Sequence, residues 1–354
     1  MKTNAIVITN GFLEHGDGKT AHGLIRGTDR FNIIGVIDHL YAGKDAGEVL
    51  DGEFRNIPVF ASIKAFAEQS AKAAECCIIG VALVGGKLPE DWKPILLEAM
   101  AHKMSIVNGL HQPLGDDPIF RKAADRNSVE ILDIRKPLPF DQLPFWTGEI
   151  YKVKTAKIAV LGMDCAIGKR TTCRFIVEMC RENGIRAEMI YTGQTGWMQG
   201  YKYGFILDAT PNDFVCGALE KAIVACDRET SPDVILIEGQ SGLRNPAGPC
   251  GSEFLLSGNV KGVILQHVPF RTYFEELEEL GCLLPAVEDE MKLINMYGAR
   301  TLAVALNGDG GDAERLSAYQ KELSEKLQIP VTRPLQEGVE ALLPVIRDFM
   351  HTGK

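Results

Sequence analysis

The chain has 354 residues, more than one hydrophobic core usually serves, so two domains are expected. Hydrophobic residues make up 45% and charged residues 24%, which excludes a disordered or fibrous protein and fits a globular one. A net charge of −9, with no Lys/Arg-rich run, argues against nucleic acid as a partner but leaves room for one anionic ligand in a local basic pocket. The N-terminal apolar run is too short for a signal peptide, and no segment approaches the ~20 apolar residues of a membrane span, so cytoplasmic residence and no membrane partner are expected. The nine cysteines form no CxxC pair and no Cys/His cluster, and are read as reduced, mostly buried thiols.

Apolar strands are predicted over 5–9, 32–37, 76–80, 105–108 and 129–133, with helices over 62–73, 91–103 and 117–126. Short apolar strands alternating with helices argue for a parallel sheet covered on both faces. After the first strand, Gly11 and Gly18 lead into Lys19 and Thr20, but six intervening residues are long for a phosphate loop. Asp38 ends the second strand, where a ribose-binding acid would stand, yet no G-x-G-x-x-G is present and a nicotinamide cofactor is not expected. Lys19, Thr20 and Arg26 are left as candidates for a substrate carboxylate or phosphate, or as structural residues. Residues 135–156 carry three prolines and no period, and read as a linker between domains at 1–134 and 157–354, with Phe145 and Trp146 as anchors.

A second series follows, with strands predicted over 157–161, 187–191, 234–237, 262–266, 301–306 and 331–333. Helices are predicted over 168–183, 211–226, 271–280, 288–297, 313–326 and 337–351. Thr210, Pro211 and Asp213 read as a capped helix start. The strongest signal is the loop between the first of these strands and the first helix. Gly162 permits the turn, Gly168 lets the backbone close on an anion, and the helix N-terminus supplies oriented N–H donors. Lys169 adds a mobile charge for a phosphate, and Thr171 or Thr172 offers a hydroxyl to Mg²⁺. Two features depart from the usual phosphate loop. Five residues separate the glycines, and Arg170 stands where Ser or Thr usually follows the Lys.

The strand ending at Ile237 delivers Glu238, a candidate to hold Mg²⁺ directly or through water, with Gly239 and Gly242 after it. Asp208 joins the metal or orients an amine. His267 is a candidate general base, because its ordinary pKa lies near neutrality. Asn307 recognises a purine edge or forms a turn before Gly308.

The segments around Gly162 and Glu238 resemble the dethiobiotin-synthetase branch of P-loop proteins. There too, five residues separate the glycines and a Glu-Gly follows a later strand. The acid two residues after the first glycine is Asp164 here, which this likeness places among the nucleotide-binding residues. The whole chain resembles a bacterial and archaeal family long catalogued only as a domain of unknown function. The matching segments are 19–26, 162–172, 208–220 and 237–242. The resemblance implies an α/β fold, with a Rossmann-like N-terminal domain and a P-loop NTPase-like C-terminal domain. It also implies N-acetylation of D-glutamate with acetyl-CoA as co-substrate. An ATP- and Mg²⁺-dependent kinase or ligase acting on a small carboxylate, or a nucleotide-binding regulator, is the alternative. Acetyl transfer needs a deprotonated amine, with Glu238, His267 and Asp208 as candidate acceptors. The two carboxylates of glutamate call for cations, and Arg170, Arg244 and Arg271 are the candidates in this half. A small anionic substrate and a homo-oligomer complete the expected partners.

Overall fold

The computed structural model describes residues 2–352, which group into two compact units, 2–138 with Gln194–Tyr201 and Pro139–Gly193 with 202–352. The first unit is built on six parallel strands: β1 (Thr3–Ile8), β2 (Phe31–Ile37), β3 (Val59–Phe60), β4 (Cys76–Ile79), β5 (Ser105–Asn108) and β6 (Ile131–Asp133). Their order is β3-β2-β1-β4-β5-β6. Helices α1 (Lys19–Arg26), α2 (Ala46–Asp51), α3 (Ile63–Gln69), α4 (Lys93–Ala101) and α5 (Pro118–Asn127) connect them. The two-residue period of a strand shows in β1. Ile6 and Ile8 pack with Trp92, Leu96 and Phe120, whereas Ala5 and Val7 pack with Leu24, Ile25 and Val36.

The second unit has seven parallel strands: β7 (Ala156–Gly162), β8 (Ala187–Tyr191), β9 (Tyr203–Gly204), β10 (Val234–Glu238), β11 (Gly262–His267), β12 (Arg300–Leu306) and β13 (Val331–Thr332). Their order is β13-β12-β11-β7-β10-β8-β9. The helices of this stretch of chain are α6 (Lys169–Glu182), α7 (Gln194–Met198), α8 (Asn212–Thr230), α9 (Ser252–Leu256), α10 (Val287–Met296), α11 (Ala313–Leu327), α12 (Pro334–Glu337) and α13 (Leu343–Thr352). Every residue of β7 is buried, as a central strand covered on both faces requires. The chain leaves β7 toward β8 on one side, and the later connection from β10 crosses to β11 on the other side of β7. That opens a crevice at its carboxyl end, where such sheets bind ligands.

Helix α7 belongs to the first unit. Its flanking Gln199 donates from Nε2 to the Gly23 carbonyl at 2.9 Å, and Thr28 donates from Oγ1 to the Met198 carbonyl at 2.7 Å. The Arg30 guanidinium lies 3.9 Å from the Trp197 ring centre, a cation–π contact.

The two sheets and most of their helices follow the pattern expected from the sequence. Seven short elements carry too weak a signal to be picked out: α1, which contains Gly23, α2, α7, α9, α12, and the two-residue strands β3 and β9. The helix expected over 271–280 does not form; turns and an isolated bridge between Tyr273 and Leu283 replace it. Glu275, Glu276, Glu278 and Glu279 would crowd like charges at helical spacing, and Arg271 and the Glu275 amide are both drawn to Asp164 instead. The capped start at Thr210 is also revised. Pro211 itself is the cap residue of α8, and the Thr210 hydroxyl turns back to the Ile206 carbonyl at 2.8 Å. The helix expected over 337–351 begins only at Leu343, as α13; the short α12 ahead of it ends at Glu337, before Gly338, whose φ is +78°.

Candidate active site

The site grows from the end of β7. Gly168, the residue before α6, sits at φ +99°, a conformation that an L side chain rarely adopts, so glycine is required where the loop turns into the helix. Lys169 is not the mobile charge that its motif suggests. It is 7% exposed, and its Nζ donates to the Ser241 carbonyl at 2.8 Å and to the Asp164 carbonyl. Burial lowers its pKa. An ammonium has three donors, so one remains for a ligand.

Asp164 forms the interior frame of the loop rather than its mouth. It is fully buried, and both oxygens are doubly engaged. Oδ1 accepts from the Cys165 amide at 2.7 Å and from Asn245 Nδ2 at 2.9 Å; Oδ2 accepts from Arg271 Nη1 at 2.8 Å and from the Glu275 amide at 2.8 Å. Arg271 also pairs with Asp309 at 2.9 Å and with Glu275. The Thr172 hydroxyl donates to Gln266 Oε1 at 2.7 Å in the buried floor. Asn307 donates from Nδ2 to the Ile167 carbonyl at 3.0 Å, and its Oδ1 accepts from the Asp309 amide at 2.8 Å. The turn-forming role of Asn307 is thus present, combined with support of the loop.

Glu238 ends β10 and is 5% exposed. Its Oε2 accepts from the Thr192 amide at 2.9 Å, and the Gly193 amide also donates to its carboxylate. Burial pushes its pKa up, and the Arg170 guanidinium is the foremost group drawing it back down. Gly239 follows because the chain there presses on β7: a Cβ would lie 2.3 Å from the Val160 carbonyl oxygen. This glycine therefore serves backbone packing.

The donors around the loop do not suit Mg²⁺, which demands six oxygens in near-octahedral array. The position directly after the loop lysine carries Arg170, the Thr172 hydroxyl is buried against Gln266, and Glu238 and Asp164 are held by protein donors. Thr171 lies on the first turn of α6, one residue past the usual position. Among the described residues, no cluster of three His, Cys, Asp or Glu side chains could hold a metal ion.

The remaining candidates are dispersed. His267, at the end of β11, accepts or donates one hydrogen bond to the Tyr319 hydroxyl at 3.0 Å, and burial pushes its pKa down to about 4, which makes it a weak base. It borders a cleft of 460 Å³ that Arg271, Leu284, Glu288 and Lys326 also line. Asp208 is exposed, in the short turn Leu207–Ala209 that follows β9. Arg244 donates from Nε to Glu290 at 2.7 Å, and Glu290 is 1% exposed, so this arginine neutralises a buried acid. In the first unit, Lys19 is exposed at the first residue of α1, and Arg26 is paired with Asp51 at 3.1 Å. Asp38 organises its own loop, accepting from Thr9 Oγ1 at 2.7 Å, the Gly11 amide at 2.8 Å and the Leu40 amide at 3.0 Å. Sequence reasoning missed Gln266, Asn245, Ser241 and Thr192. Gln266 and Thr192 were open to discovery, since each stands at or just past the carboxyl end of a strand flanking the loop; Asn245 and Ser241 sit in a loop with no period.

The chain is similar to two proteins named D-glutamate N-acetyltransferase. The one from a Pseudoalteromonas species is 29% identical over 284 residues, 78% of this chain and 82% of that protein. The one from Tritonibacter scottomollicae is 27% identical over 286 residues, 79% of this chain and 83% of that protein. The crystal structure of a DUF1611 family protein from Anabaena variabilis ATCC 29413 has a TM-score of 0.88 and 25% identity, covering 98% of this chain and all of that one. The Rossmann-like domain of that family, DUF1611_N, matches residues 40–137, and its P-loop domain, DUF1611_C, matches 144–343. With a parallel sheet in each unit and a phosphate loop at the centre of the second, the chain belongs to the DUF1611 family.

Proposed function

We propose that this protein transfers the acetyl group of acetyl-CoA to the amine of D-glutamate. The observation that carries the reading is the similarity, across about four-fifths of the chain, to two proteins named for that activity. The loop at Gly162–Lys169 is compatible with it. CoA carries a pyrophosphate and a 3′-phosphate, and backbone N–H groups at a helix N-terminus with a Lys donor suit either. In the reaction, the neutral amine attacks the thioester carbonyl and forms the carbon–nitrogen bond, the carbon–sulfur bond breaks, and the amine proton passes to a base that returns it to the departing thiolate, so that CoA leaves as the thiol.

The long pantetheine arm separates the thioester from the pyrophosphate. A pyrophosphate held at Lys169 therefore leaves Glu238, packed beneath the loop, as a framing acid. The amine proton is assigned to Asp208, the exposed one of the three candidates, since Glu238 and His267 are both buried. Asp208→Asn is expected to cut turnover while leaving CoA affinity near wild type.

The test is incubation with D-glutamate and acetyl-CoA in the absence of ATP. Free thiol should appear in step with a product heavier by one acetyl group. The runner-up, an ATP-dependent kinase or ligase, is favoured by the likeness of the two motifs to dethiobiotin synthetase. It replaces the present reading if neither enantiomer of glutamate or aspartate is acetylated while ADP forms from ATP and a small carboxylate.

A further inference from the structure

We propose that Arg170 takes the place of the divalent cation at this phosphate loop, so that the loop holds a pyrophosphate-type anion with a guanidinium and an ammonium and needs no metal. The inference rests on the reading that the loop binds a phosphate-bearing ligand.

Four observations lead to it. First, the residue directly after the loop lysine is where a P-loop places the Ser or Thr hydroxyl that meets Mg²⁺. Here it is the second residue of α6, Arg170, so a fixed positive charge stands where the metal-binding oxygen belongs. Second, the hydroxyls beyond it do not restore that oxygen. Thr171 is turned about 100° around the helix from the position of Arg170. Thr172 is 1% exposed and donates to Gln266, itself 2% exposed.

Third, the carboxylates are committed. Glu238 accepts from the Thr192 and Gly193 amides, and Asp164 has all four of its bonds filled from within the protein. Arg170 is near enough to Glu238 to counter the effect of burial on that acid. Fourth, the loop brings its own cations to the anion. A CoA-type pyrophosphate carries about two negative charges, and Lys169, Arg170 and the positive end of α6 oppose them. Guanidinium binds two phosphate oxygens side by side, which an ammonium cannot do, so Arg rather than Lys suits the place of a bridging cation.

The experiment is calorimetric titration of the full chain with coenzyme A and, separately, with inorganic pyrophosphate, each in excess EDTA and in excess Mg²⁺. Wild type is expected to bind coenzyme A equally well in both, within about twofold. Arg170→Thr is expected to lose about tenfold to a hundredfold in EDTA, the worth of one charge-assisted interaction. It should recover part of that loss when Mg²⁺ is supplied, because it restores the hydroxyl. Arg170→Lys should fall between the two and remain indifferent to Mg²⁺. Unfolding curves of each variant show whether it folds; should Arg170→Thr fail to fold, the EDTA comparison on wild type and Arg170→Lys decides. Wild-type binding that requires Mg²⁺ overturns the inference and leaves the phosphate-loop reading standing. Equal binding of Arg170→Thr and wild type in EDTA also overturns it. If neither probe binds under either condition, the reading and the inference fall together.

Discussion

Asp164→Asn separates a framing role for this acid from a ligand-binding one. The substitution keeps the shape and one carbonyl oxygen. It replaces the other oxygen with an NH₂ that must face either the Cys165 amide and Asn245, or Arg271 and the Glu275 amide, all of them donors. Two of the four bonds are lost, and Arg271, whose side chain is 13% exposed, loses its fully buried counter-charge. Breaking one partner of a buried charge pair costs about 3–5 kcal/mol. For a unit of roughly 200 residues, each kcal/mol moves the midpoint ~2–4 °C, so the transition of the P-loop unit should fall by roughly 6–20 °C. Calorimetric melting without ligand measures it directly. Adding Arg271→Met should return part of the loss, because it removes the cation whose buried partner is gone, and a double-mutant cycle gives the coupling. A single variant that melts within ~1 °C of wild type, yet no longer binds coenzyme A, would refute the framing role and make Asp164 a ligand contact.

Two further outcomes follow from buried groups outside the loop. His267 titrates at about 4 in the folded chain against about 6.5 when unfolded, so the unfolded state binds more protons between those values. Stability from this group is complete above about pH 6.5 and is lost as pH falls through about 4, by about 3 kcal/mol in all. His267→Gln should flatten the fall in denaturant midpoint over that window, and an unchanged slope would show that the imidazole charges without cost. Glu220, 3% exposed on α8, accepts from the Thr147 amide at 2.6 Å, Thr147 Oγ1 at 2.8 Å and the Ile150 amide at 3.1 Å, tying down the segment before β7. Glu220→Ala leaves the buried Ile150 N–H unsatisfied and should cost about 2–3 kcal/mol. It should also speed chymotrypsin cleavage at the exposed Phe145 and Trp146; an unchanged rate would mean that other contacts hold the segment.

The sequence by itself determined the two parallel sheets, most of their strands and helices, and the phosphate loop between β7 and α6. Those features rest on local chemistry. Apolar runs such as 156–162 mark central strands, periodic positions mark helices, and glycines mark the turns that need them. Tertiary structure decided what each charged side chain does. Arg244, Arg271 and Arg26 read equally well as substrate contacts, yet each faces an acid brought to it by folding: Glu290, Asp164 and Asp51, 46, 107 and 25 residues away in the chain. The same is true of Lys169, pinned to a carbonyl 72 residues on, and of 194–201, which packs with the first unit although nothing in its composition says so. Period and propensity act over a few residues and are written locally. The partner of a buried charge is set by which distant segments the sheet order brings together, because a charge leaves water only where an opposite charge or a full set of donors awaits it.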